Sequence, residues 1–147
     1  MIRRFLEEPP RPHRITVLVQ KEVAERIVAE PGSTSVLSIM AQSQSSPKLV
    51  ATIPPGDFWP APQIDSALVA FEDITWKFPG VSQRDFFRIV KVGFSARRKK
   101  LVNNLAGGLH LDVQKVRQVM SSVHIGENAR AQELTLEQWA EIVGALK

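Results

Sequence analysis

The sequence predicts an α/β unit followed by a small helical domain, and three observations support that prediction. Apolar or β-branched runs of strand length occur in the first half, at Ile15–Val19, Lys48–Ile53 and Ile64–Glu72. From Ser82 onward the apolar residues recur instead at helical spacing. Between the two patterns stands Pro79-Gly80, a pair typical of a linker.

The first of these runs is apolar on both faces, which is typical of a buried parallel strand. We therefore expect Ile15–Val19 to have neighbouring strands on both sides and helices on both faces. Helical spacing predicts a helix at Gln20–Ala29. A short helix is expected at Met1–Glu8, ended by the prolines that follow, and the ambiguous stretch Thr34–Gln42 is interpreted as a third helix.

A proline-spaced stretch, Pro54–Gln63, separates the second and third predicted strands. Each proline fixes its own φ and pushes the preceding residue toward extended geometry, so the stretch is expected to be a stiff loop. If the two strands pair, this loop is their connection. It carries two adjacent aromatic residues, Phe58 and Trp59, of which we expect Trp59 to pack against the protein.

Helix start and stop signals organise the second half. Ser82 with Asp85 and Thr135 with Gln138 have the spacing of capping boxes, and Asp112 is a candidate N-cap. Gly107-Gly108 is expected to end a helix. On the predicted helix after Ser82, the apolar residues share one arc, while a second arc holds Arg84, Arg88, Lys91, Ser95 and Arg98.

Positive charge is concentrated in one segment of a chain whose formal net charge is +4. Residues 84–100 hold seven basic side chains and one acidic side chain, and four basic residues are consecutive. Such a patch indicates a polyanionic partner, most often a nucleic acid, although it also fits the solvated face of an amphipathic helix. The candidate RNA-binding residues are Arg84, Arg88, Lys91, Arg97, Arg98, Lys99 and Lys100.

Composition excludes several other classes of protein. No apolar run reaches the roughly 18 residues of a membrane span, and no signal peptide precedes the fold, so we expect a cytoplasmic protein. The chain has no cysteine. Its histidines, His13, His110 and His124, do not have the spacing of metal ligands, so no metal site is predicted.

Four stretches, in order, resemble the ribosomal RNA adenine dimethyltransferases of the KsgA family. One is Phe-x-Pro-x-Pro-x-Ile-Asp-Ser-Ala, read from Phe58 to Ala67. Val19–Val23 is similar to the family's fifth strand and following helix, and Phe94–Leu105 to a basic helix of its C-terminal domain. The ending from Arg130 through Leu134 to Trp139 is similar to the family's last turn and helix.

The resemblance implies a fold, a reaction and an RNA partner. Residues 1–78 are expected to be the C-terminal part of a truncated methyltransferase domain, a remnant of its Rossmann-like sheet, and residues 79–147 a helical RNA-binding domain. The complete enzyme is expected to transfer methyl groups from S-adenosylmethionine to adenines of small-subunit ribosomal RNA, on an immature ribosomal subunit. Phe58 is then a candidate wall against the target base, and the basic helix docks on the RNA.

The sequence also departs from the family's pattern. The eight glycines form no glycine-rich turn for S-adenosylmethionine, and the family's Asn-Leu-Pro-Tyr loop is absent. We therefore assign no catalytic or cofactor-binding residue and expect this chain alone to be inactive. Two alternatives stay open: a non-catalytic RNA-binding or ribosome-assembly module, and a ribosomal RNA adenine methyltransferase of the macrolide-resistance type.

Overall fold

The computed structural model describes residues 2–146, which divide into two compact units. The first contains residues 2–29 and 40–77, and the second contains residues 30–39 and 78–146. No helix in the described range is both long and apolar enough to cross a membrane.

The first unit is built on a three-stranded sheet. The strands are β1 (Ile15–Gln20), β2 (Ser46–Ile53) and β3 (Ser66–Glu72), in the order β1-β3-β2. Helices α1 (Ile2–Glu7) and α2 (Lys21–Ile27) belong to this unit, whereas α3 (Val36–Gln42) begins in the second unit and ends in the first. The predicted strands and helices are thus confirmed, with ends shifted by a few residues, and β2 pairs with β3 across the proline loop as expected.

The pairing of β1 differs from the prediction. Within the described residues both ladders are antiparallel, and β1 pairs only with β3. Alternate side chains of β1, beginning with Ile15, are half-buried on the face they share with the buried Val69 and Phe71, while Leu18 on the other face is 49% exposed. The expectation of a neighbouring strand on both sides is therefore wrong for the described residues, where β1 has one neighbouring strand. The strand also contacts helix α2, and it is half-exposed instead of fully buried.

An ion-pair network joins the three strands at the end of β3. The Glu72 carboxylate contacts the Arg14 guanidinium, next to β1, and the Lys48 ammonium of β2, at 2.7 Å. The hydrogen bond and charge of Lys48, followed by the charge of Arg14, lower the pKa of Glu72, and Glu72 in turn raises the pKa of Lys48. Because the Arg14 and Lys48 side chains are about two-thirds exposed, although that of Glu72 is only 25% exposed, we assign this network a small role in stability.

The second unit is helical. Its helices are α4 (Gln83–Gly93), α5 (Leu101–Leu109), α6 (Val113–Ser122) and α7 (Leu136–Ala145). The predicted N-caps are confirmed: Ser82 accepts from the Asp85 amide, Asp112 from the Gln114 and Lys115 amides, and Thr135 forms a reciprocal capping box with Gln138. Residues 30–39 join this unit through the Gly32 amide and the Thr34 hydroxyl, which both donate to the Gln132 carbonyl.

The prediction that Gly107-Gly108 ends a helix is wrong. Helix α5 continues through both glycines and ends at His110, whose φ of 54° is left-handed. The two glycines differ in their surroundings: a Cβ at Gly108 would lie 2.5 Å from Val92 Cγ1 of α4, whereas a Cβ at Gly107 would meet nothing within 4 Å. Gly108 is therefore required by the close approach of α4 and α5.

This difference gives a matched pair of predictions. Gly108→Ala is expected to destabilise the second unit by about 1–3 kcal/mol, because the stiff, β-branched Val92 must shift to admit the new methyl group. Gly107→Ala is expected to be neutral or to stabilise it by up to about 1 kcal/mol through helix propensity. Urea unfolding of both variants measures the difference, and equal midpoints would rule out the close approach.

Candidate nucleic-acid interface

Helix α4 separates apolar and basic side chains. Ser82 fixes its start, and the buried face consists of Phe86, Phe87, Ile89, Val90 and Gly93. The opposite face exposes Arg84, Arg88 and Lys91, as the sequence predicted. The Arg88 guanidinium lies 3.5 Å from the Asp85 carboxylate on the same helix. Lys91 occupies the last turn, where a cation also complements the helix dipole.

The predicted basic helix is not a helix in its charged part. Helix α4 ends at Gly93, and α5 begins at Leu101. The four consecutive cations therefore belong to a loop, residues 94–100, which we call the basic loop. A continuous helix would place like charges one turn apart, which destabilises a helix. It would also move Phe94, whose ring stacks on the ring of Trp139 with the centroids 5.7 Å apart.

A buried side-chain amide holds this loop in place. Asn104 of α5 is 5% exposed, and its Nδ2 donates to the Gly93 carbonyl at 2.6 Å and to the Ala96 carbonyl at 3.0 Å. The first bond caps the C-terminal end of α4, and the second fixes the middle of the basic loop. The Asn104 amide therefore joins the end of one helix, the loop and the start of the next.

Backbone contacts fix both ends of the basic loop. The Ser95 amide donates to the Val92 carbonyl at 3.1 Å, and the Leu101 amide donates to the Ala129 carbonyl at 2.8 Å. Leu101 itself is fully buried. The charged side chains between these ends thus extend from a backbone whose position is set by the helical core.

The side chains of this loop are exposed and concentrate charge of one sign. Among the side chains that the structure describes, those of residues 4–6 and 8–146, no ion pair involves the loop's cations, which are Arg97, Arg98, Lys99 and Lys100. They lie beside the N-terminus of α5, where the partial charge of the helix is also positive. This arrangement repels cations and attracts anions, phosphate groups in particular.

The other predicted site residue lies in the first unit. The loop between β2 and β3 begins with a short 3-10 turn at Pro55–Asp57, and Phe58 follows it in an extended conformation. Its amide donates to the Pro55 carbonyl at 3.2 Å, and its side chain is half-buried. Phe58 and the basic loop belong to different units.

The expectation that Trp59 packs against the protein is wrong, because its side chain is 98% exposed. Successive side chains of an extended chain point in opposite directions, so a half-buried Phe58 directs the next residue away from the protein. The packing prediction rested only on the fact that Trp59 does not occupy a matched position of the family's motif. That fact does not determine whether the side chain is buried.

The proline loop is attached to the end of β1 and the start of α2. The Lys21 amide donates to the Asp65 carbonyl at 3.0 Å, and the Lys21 ammonium lies 3.6 Å from the Asp65 carboxylate. Because Gln20 and Ile53 both pair with Ser66, the loop leaves the sheet at the edge where β1 ends.

Comparison with protein families agrees with the resemblance. The family model for ribosomal RNA adenine dimethylase matches residues 1–147. A ribosomal RNA small subunit methyltransferase A of Desulfitobacterium hafniense is 40% identical over 99% of this chain, and one of Dehalococcoides mccartyi (strain CBDB1) is 37% identical over 97%. The alignments cover 53% and 49% of those proteins, so the chain spans about half the length of the curated relatives it matches.

Two solved structures share the fold. A dimethyladenosine transferase from Plasmodium falciparum matches with a TM-score of 0.78 and 18% identity, over 96% of this chain and 60% of its own. The 23S rRNA methyltransferase ErmE matches with a TM-score of 0.68 and 20% identity, over 96% and 57%.

Proposed function

This chain belongs to the ribosomal RNA adenine dimethylase family, and from that premise we propose that it is the RNA-docking part of a small-subunit ribosomal RNA adenine dimethyltransferase. The observation that carries the proposal is the match of the family model to residues 1–147. The small-subunit substrate is supported by relatives at 37–40% identity, which are named for it. The complete enzyme transfers methyl groups from S-adenosylmethionine to adenines of that RNA.

The two parts of the chain that the resemblance implies, residues 1–78 and residues 79–147, divide this work. Residues 1–78 form the C-terminal part of the methyltransferase domain, a remnant of its Rossmann-like sheet, in which the half-buried Phe58 contributes a wall for the target adenine. Residues 79–147 form the RNA-binding domain. Its phosphate contacts come from the basic loop and from the exposed face of α4.

The described residues do not fit S-adenosylmethionine. A glycine-rich turn after a strand would hold such a donor, yet β1 passes directly from Gln20 into α2, and β2 is followed by Pro54 and Pro55. We infer that this chain alone neither binds the donor nor transfers a methyl group. The residues that bind the donor then belong to the half of the family's length that this chain does not span.

A second candidate function is a non-catalytic RNA-binding or ribosome-assembly module. The missing donor turn favours this candidate. The candidate RNA contacts are present among residues 2–146, whereas a glycine-rich turn for the donor is not. The structural likeness to the 23S rRNA methyltransferase ErmE, at 20% identity, shows the fold alone and does not favour the macrolide-resistance type.

Three measurements on the chain test the proposal. Titration into a labelled small-subunit ribosomal RNA fragment is expected to show binding that weakens steeply between about 50 and 200 mM salt. Calorimetry with S-adenosylmethionine is expected to show no binding of the donor. Incubation of the chain with the RNA and labelled S-adenosylmethionine is expected to leave the RNA unlabelled. Failure to bind the RNA at low salt contradicts the docking role, and methyl transfer by this chain contradicts the placement of the donor site.

A further inference from the structure

Trp59 has an exposure that packing does not explain. Its side chain is 98% exposed, higher than any other large apolar residue in the described range. A fully solvated indole forgoes the free energy of burial, which is large for an aromatic ring of this size. Its neighbours along the loop, including Asp57, Pro60 and Ala61, are also exposed. These neighbours carry small or acidic side chains, so the indole is the large flat surface at this point of the loop, and stacking is the contact that it offers.

The loop presents this ring in a defined direction. The amides of Asp57 and Phe58 donate to the carbonyls of Pro54 and Pro55, both at 3.2 Å, and form the turn that precedes Trp59. Pro60 follows it directly, and its ring fixes the backbone on that side. Proline also lacks an N–H group, so this stretch offers few backbone donors and a partner here meets chiefly the flat face of the indole.

We propose that Trp59 stacks on an unpaired RNA base beside the target adenine, an inference that rests on the RNA-docking function proposed above. Phe58 is half-buried and the adjacent Trp59 is almost fully exposed, so we assign the two rings to two different bases. A flat indole binds any base through its π-face, without reading its sequence. Trp59 is accordingly a positioning residue that holds the strand next to the reacting nucleotide.

Binding of two RNAs to three forms of the chain tests this proposal. The first RNA is a small-subunit ribosomal RNA fragment with two adjacent unpaired adenines, and the second is the same fragment with abasic sites in the unpaired region. Trp59→Ala is expected to weaken binding of the first RNA about tenfold, because the variant loses the stacked base. The salt slope should not change, because the variant keeps every phosphate contact. Trp59→Phe should retain most of the affinity, and all three forms should bind the abasic RNA equally.

The outcomes separate this inference from the proposed function. If Trp59→Ala binds the first RNA as tightly as the unchanged chain does, the stacking assignment is wrong while the docking function stands. If Trp59→Ala weakens both RNAs equally, the contact is not a base and the assignment is again wrong. If the unchanged chain binds neither RNA, both proposals fail. Equal unfolding midpoints of the three forms confirm that an exposed side chain was changed without loss of the fold.

Discussion

Replacing the four cations of the basic loop with alanine is expected to lower the affinity of this chain for ribosomal RNA on the order of 100-fold near 0.1 M salt. Each phosphate contact to single-stranded nucleic acid contributes about 0.7 to the slope of log affinity against log salt, so the slope should fall by about 3. The fold should persist, because the changed side chains, Arg97, Arg98, Lys99 and Lys100, are all exposed. Fluorescence anisotropy across a salt series measures both quantities.

A charge-matched variant provides the control. Alanine at four other exposed cations, Arg4, Arg26, Lys115 and Arg117, removes the same net charge from other parts of the surface. We expect this control to change affinity by only a few-fold and to leave most of the slope, since long-range attraction is screened over roughly 10 Å at this ionic strength. If both variants lose affinity equally, net charge and not the basic loop governs binding.

Elements with local signals were predictable from the sequence. The strands follow from short β-branched runs, and the helix starts follow from side chains that accept hydrogen bonds two or three residues onward, as Ser82, Asp112 and Thr135 do. These signals lie within a few residues of the feature they determine. The connection of β2 to β3 through the proline loop was predictable for the same reason.

Features that depend on distant contacts were not predictable. The end of α4 at Gly93 is fixed by Asn104, eleven residues later, and by Trp139, whose ring a Cβ at Gly93 would overlap. The basic segment has helical spacing in the sequence, so its loop conformation follows from tertiary contacts that override local propensity. Asn104 caps the C-terminal end of α4 and not its own helix, which no spacing rule reveals.

The same Asn104 gives the second large effect. Asn104→Leu is expected to destabilise the second unit by about 2–3 kcal/mol, because the carbonyls of Gly93 and Ala96 lose their donor at a site that is largely inaccessible to water. RNA affinity should fall as well, although no charge is removed, since the basic loop loses the contact that fixes its middle. Urea unfolding and RNA titration well below the unfolding midpoint measure the two effects separately.

The adjacent residue is a matched control, because Asn103 has the same side chain in the same helix but is exposed. Asn103→Leu should change stability by no more than about 0.5 kcal/mol, as most exposed substitutions do. Its RNA affinity should stay within a few-fold of that of the unchanged chain. If Asn104→Leu destabilises the unit yet binds RNA normally, the amide supports the helical core alone, and the cations reach phosphate without a pre-formed loop.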